Sequence, residues 1–254
     1  MTPTTAHQTQ SITISDVGQK RKLNEDSVLI DKTLGFYIVA DGMGGHKAGE
    51  VASKLAVRIM HQQIKKHEKS DILSNKDIRK ILQDAIEATN YQINGQNLLQ
   101  GISEGQGMGT TITGFWIPLC KQNTPQIYGF NLGDSRCYSF YQGHLHQISI
   151  DHSHYQLWLE TGKPDKEPKK NIIYKAMGPW KKVVADQYTH KLRDNELLLL
   201  CSDGLSDMLA DNEICAILNK SQNNSIKEIA QILVAMANRK GGKDNISIIL
   251  YKAS

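Results

Sequence analysis

The sequence is poor in cysteine and aromatic residues, and it has no long apolar run. Its four cysteines, Cys120, Cys137, Cys201 and Cys215, are scattered and form no Cys-x-x-Cys pair. That argues against a disulfide framework and a structural zinc site, and it fits a reducing, cytoplasmic setting. No stretch reaches the roughly 18 apolar residues of a membrane span. Met1 to Gln10 holds no basic segment followed by an apolar one, so no secretory signal is expected. Neither sign of charge dominates: 30 basic against 26 acidic residues leave +4, too mild for a nucleic-acid surface. Charged residues at 22% and hydrophobic residues at 39% exclude a disordered chain and allow a sizeable core.

What is present reads as many short strands and a few paired helices. Strands are expected at Ser11 to Val17, Ser27 to Ile30 and Gly35 to Ala40, then a glycine-rich loop from Asp41 to Gly49. Apolar residues at helical spacing predict helices from Ala48 to about His67 and from Asn75 to about Gln96. Further strands are expected at Thr110 to Ile117, Gln126 to Leu132, Arg136 to Phe140, Leu145 to Ile150, Val183 to His190, Glu196 to Ser202 and Asn245 to Lys252. His154 to Thr161 suits a short helix. Two more helices follow residue 202, the first capped by Asp211 and the second by a Ser225/Glu228 capping box. Short turns favour antiparallel sheets, and paired helices favour packing outside them rather than between parallel strands. No linker divides the chain, so one domain is expected over 11–254 behind a loose tail, 1–10.

The aspartates carry the chemistry. Asp41 ends the run Phe36 to Ala40, Asp134 follows the run Ile127 to Leu132, Asp203 follows Leu197 to Cys201, and Asp244 directly precedes Ile246 to Leu250. Any one of them alone is an ordinary strand-to-turn residue. Four at the ends of buried strands, three with glycine beside them, point to a shared site, because a desolvated carboxylate needs a cation or a proton. If they converge, an all-oxygen donor set selects Mg2+ or Mn2+ over Zn2+. Two such ions suit hydrolysis of a phosphate ester by in-line attack of water.

The motifs occur in an order that resembles a known family. They are Arg21-Lys22-Leu23-Asn24-Glu25-Asp26, Asp41-Gly42-Met43-Gly44-Gly45-His46 with Gly49-Glu50, Gly107-Met108-Gly109-Thr110-Thr111 and Asn131-Leu132-Gly133-Asp134-Ser135-Arg136. Asp151-His152-Ser153, Cys201-Ser202-Asp203-Gly204-Leu205 and Gly242-Lys243-Asp244-Asn245 complete the series. Together they resemble the metal-dependent Ser/Thr protein phosphatases, the PPM family or type 2C, in its bacterial form. The resemblance covers about residues 11 to 252. It implies an α+β fold, a four-layer α-β-β-α sandwich of two mainly antiparallel sheets flanked by helices. It implies a monomeric hydrolase acting on phosphoserine and phosphothreonine in proteins modified by a Ser/Thr kinase, with two core Mg2+ or Mn2+ ions and room for a third.

By the same resemblance, Asp41 bridges the two ions and the Gly42 carbonyl binds one of them. Asp203 and Asp244 hold the first ion. Asp26 and Glu25 serve the second through water, and Asp134 helps hold a weaker third. Arg21 binds the substrate phosphate, as a guanidinium fork suits. His46 has two readings, a proton donor to the leaving oxygen or a loop histidine bonded to the backbone. His144 and His146, and His152 and His154, are expected on exposed strand faces rather than on zinc. Arg136 is expected to be structural, and Lys163 to Lys170 to be a solvated surface. The segment 152–175 corresponds to the family's mobile flap but is short and lysine-rich. The usual apolar-Thr-Arg segment there reads Ile173-Tyr174-Lys175. Two other classes compete: a silent binding module, which would have lost metal aspartates, and a phosphodiesterase or nuclease, which would need a basic groove.

Overall fold

The structure is a computed structural model that describes residues 10–44, 48–68, 73–118 and 125–253. In chain order it opens with β1 (Gln10–Asp16), β2 (Asp26–Asp31) and β3 (Phe36–Met43), then α1 (Ala48–Lys65) and α2 (Asn75–Leu99). Five strands and a helix follow: β4 (Gly109–Thr110), β5 (Ile112–Trp116), β6 (Gln126–Leu132), β7 (Arg136–Tyr141), β8 (His144–Gln147) and α3 (His154–Glu160). The last part comprises β9 (Asp186–Lys191), β10 (Leu197–Cys201), α4 (Asp203–Ser206), α5 (Asp211–Lys220), α6 (Ile226–Arg239) and β11 (Ile246–Lys252).

The central strands are apolar at nearly every position because both of their faces are buried. Side chains alternate along a strand, and the two sets go to different cores. In β3, Phe36, Ile38 and Ala40 join the core under α1 and α2, while Tyr37 and Val39 face the other sheet. In β10, Leu197, Leu199 and Cys201 join the core under α4 to α6, while Leu198 and Leu200 face back. The result is four layers. One sheet runs β2-β3-β5-β6-β9, with β4 added to β3; the other runs β1-β11-β10-β7-β8. Every pairing is antiparallel.

The expected α-β-β-α sandwich is therefore present, with several local differences. The strand expected from Thr110 is broken at Thr111. The Thr111 side chain accepts the Asp41 N–H at 3.0 Å, taking the place of a strand neighbour. The strand expected at Val183 starts at Asp186, and the one expected to reach Ile150 stops at Gln147. Asp211 is the first residue of α5 rather than its cap; Ala210 caps, and its N–H reaches Glu213 Oε2 at 3.1 Å. The Ser225/Glu228 box is formed as expected. The cysteines described, Cys137, Cys201 and Cys215, are free thiols. No helix among the described residues is long and apolar enough to cross a membrane. Most of the expected tail, and His46, lie outside the described residues.

Candidate metal centre

The site forms where the two sheets end together. Asp26 and Asp41 sit directly opposite each other on β2 and β3 of one sheet. Asp203 and Asp244 come from the other sheet, just after β10 and just before β11. Glycine permits the approach. A Cβ on Gly204 would lie 1.9 Å from the Asn245 carbonyl oxygen, and one on Gly42 would lie 2.1 Å from that of Gly49. No side chain fits at either point.

Hydroxyls and amides hold the frame. Thr110 Oγ1 donates to the Asp41 carbonyl at 2.8 Å, as does the Thr111 N–H. Thr111 Oγ1 also meets Ser135 Oγ at 2.7 Å, tying Asp41 to the turn that carries Asp134. Asn245 reaches back to the Val17 and Leu23 carbonyls, both at 2.9 Å, and accepts the Glu25 N–H at 2.8 Å. These bonds stitch the 17–25 loop to the start of β11.

Positive charge is sparse here: Arg21 pairs with Asp244, but Asp26, Asp41, Asp134 and Asp203 form no ion pair among the described residues. Burial, and then Asp26, Asp203 and Asp134, raises the Asp41 carboxyl well above its ordinary range. Asp134 is raised likewise, by burial, then Asp203 and Asp151. Burial raises Asp26 to about 7 and, with Asp207 and Asp244, Asp203 to about 6. Ser202 Oγ donates to Asp26 Oδ2 at 2.8 Å, but Asp26 Oδ1 and Asp203 Oδ1 are buried without a partner among the described residues. Buried acceptors left open in this way are suited to a cation. No three His, Cys, Asp or Glu side chains among the described residues group closely enough to hold one ion alone. A hard cation that keeps several waters does not need three; two carboxylates and a backbone carbonyl suffice.

Residues 18–245 match the family described as protein phosphatase 2C. The chain belongs to that family. A serine/threonine phosphatase, stp, of Listeria welshimeri serovar 6b is 37% identical over 248 residues, covering 94% of this chain and 93% of that one. The S. agalactiae serine/threonine phosphatase superposes with a TM-score of 0.84 at 30% identity, covering 97% of this chain and all of the other. The catalytic domain of the phosphatase PstP, crystallised with two manganese ions, gives 0.80 at 32% identity, covering 96% and 97%.

Against the protein phosphatase 2C pattern, the remaining residues are placed as follows. Arg21 lies at the rim, half-exposed, with Nη2 2.6 Å from Asp244 Oδ2 and Nη1 4.0 Å from Glu25 Oε2. Glu25 therefore flanks the site beside Gly49. Arg136 grips Asp151 through Nε and Nη2 at 2.7–3.1 Å, the structural role expected of it. His144 and His146 are exposed on β8, as expected; His154 is exposed too but opens α3 rather than lying on a strand. His152 is not: it is buried, and its Nδ1 accepts the Gly133 N–H at 3.1 Å, bracing the turn before Asp134. Its position between Asp151 and Ser153 was the only signal of this. Lys163 and Lys170 are exposed, with their ammonium groups over Trp158 at 5.5 Å and Tyr155 at 4.9 Å.

Proposed function

We propose that this chain removes phosphate from phosphoserine and phosphothreonine in proteins, using Mg2+ or Mn2+ held by its own aspartates. The observation that carries this reading is the meeting of Asp26, Asp41, Asp203 and Asp244 from two sheets, with two buried oxygens open. Two bound ions would supply an activated water and offset the charge of the phosphoryl group. Asp41, opposite Asp26 on the neighbouring strand, would donate to both ions. The Gly42 carbonyl and Asp26 serve one side, with Glu25 behind, acting through water. Asp203 and Asp244 serve the other. Asp134 extends the set towards a third, weaker site. Arg21 turns its fork from Asp244 towards the substrate phosphate. The residues 152–175 form the flap over this end of a single phosphatase domain. The substrates are products of a Ser/Thr protein kinase, and the enzyme acts as a monomer in the cytoplasm.

Hydrolysis of a phosphothreonine peptide that requires Mn2+ and stops with chelator is the expected result. Asp203→Asn should lower turnover by about a hundred- to a thousandfold, on the scale of losing a principal transition-state contact, while its circular dichroism matches wild type. Near-normal turnover by that variant at modest Mn2+ would falsify the assignment.

A further inference from the structure

Three asparagines lie on one face of α2: Asn90, Asn94 and Asn97, at i, i+4 and i+7. All three are buried. Asparagine is a weak helix former, and a buried amide is costly unless it is bonded. Each of these amides bonds outward, to the backbone of two loops. Asn97 Nδ2 donates to the Met108 carbonyl at 2.9 Å and to that of Gly178 at 3.2 Å, while its Oδ1 accepts the Met108 N–H at 3.0 Å. Asn94 donates to the Gly178 carbonyl at 2.8 Å. Asn90 accepts the Gly178 N–H at 2.8 Å and donates to the Trp180 carbonyl at 2.9 Å.

The two gripped loops lead to the metal centre. Met177 and Thr110 exchange backbone bonds at 2.9 and 3.0 Å. β4 in turn pairs Thr110 with Gly42 and Gly109 with Met43. A run of hydrogen bonds therefore connects α2 through Met108 and Thr110 to Asp41 and Gly42. A shorter one connects α2 to Gly178, just beyond the segment 152–175.

We propose that this ladder positions both parts of the reaction site: Asn97 sets the strand that carries Asp41 and Gly42, and Asn94 sets the fixed end of the flap. Neither touches substrate; both are positioning residues. The inference rests on Asp41 and Gly42 being metal donors.

Two variants weight the rungs differently, since Asn97 holds Met108 and shares Gly178 with Asn94. Asn97→Asp keeps an acceptor for the Met108 N–H and loses both donor bonds. Asn94→Leu loses the bond to Gly178 alone. Calorimetric titration of the metal-free protein with Mn2+ should show Asn97→Asp binding about tenfold more weakly, the equivalent of one net hydrogen bond. Asn94→Leu should bind Mn2+ as wild type does. Its KM for a phosphopeptide should rise about tenfold, while its KM for a small aryl phosphate stays within about twofold. A merely structural ladder predicts lowered melting temperatures with Mn2+ affinity and KM unchanged per folded molecule, and that outcome overturns the proposal. If Asn97→Asp does not fold, the same titration of Asn97→Ser decides the point. Wild-type protein that binds no Mn2+ would instead overturn the metal assignment itself.

Discussion

Arg136 and Arg21 show how one residue type serves two ends. Arg136 is committed to Asp151, approaches Asp211 at 3.6 Å and donates to Tyr138 at 2.9 Å, so its fork is filled by protein. Asp134, two residues away, forms no ion pair among the described residues, and burial and then Asp203 raise its carboxyl. Arg21 makes its short contact with one half-buried carboxylate and has the rest of its fork near solvent. It can reach a phosphate without dismantling a core. Arg21→Ala should raise KM on a phosphopeptide by roughly ten- to hundredfold, with kcat little changed, as for a charge-assisted contact made equally in ground and transition states. Because Asp244 then loses a competitor, Mn2+ binding should not weaken. An unchanged KM would place the phosphate elsewhere.

At the scale of elements, the strand ends matter more than the strands. Their apolar runs were legible in the sequence because burial on both faces writes an unbroken stretch such as Leu197 to Cys201. The aspartates at their ends were legible for the same reason: a charge stops the run. What was not legible came from distant contact. The break at Thr111 depends on Asp41, seventy positions earlier in the chain. The burial of His152 depends on Gly133, and the work of Asn90, Asn94 and Asn97 depends on loops that no periodicity reveals. A polar residue on a helix face gives no sign of its partner. The turn from β10 into α4 is a sharper case, since Gly204 lies against the Asn245 carbonyl. Gly204→Ala should cost about 1–3 kcal/mol by overpacking, or roughly 3–10 °C in Tm for a domain of this size. It should also weaken Mn2+ binding, because Asp203 moves with it. A thermal melt and a Mn2+ titration read both effects, and an unchanged Tm would mean that the seam yields.

For the whole molecule, the proposed metal centre exchanges stability for function. The raised carboxyls have folded values of about 6 for Asp203 and about 7 for Asp26, against an ordinary 3.8. Between these limits the metal-free folded chain holds protons that the unfolded chain has lost. Their contribution to stability is therefore complete below about pH 4 and is lost as the pH rises to about 7. Cations should replace what the protons supplied. The rise in Tm on saturation with Mn2+ should be larger at about pH 8 than at about pH 5.5, by some 3 °C or more if the difference is about 1 kcal/mol. Equal rises at both pH values would detach these carboxylates from the ions.

The strand order has a consequence for how the enzyme is made. β1 pairs with β11, so Gln10 lies opposite Lys252, about 240 positions later in the chain. Until β11 leaves the ribosome, β1 has no partner in its sheet, while β10, β7 and β8 can already pair. Asp26, Asp41 and Asp203 are then already translated, and Asp244 follows them just before β11. Non-local pairing of this kind is slow to form. The proposed set of metal donors is therefore complete only once the strand that follows Asp244 has joined the sheet. Closure of that sheet and assembly of the proposed donor set are, in this topology, one event.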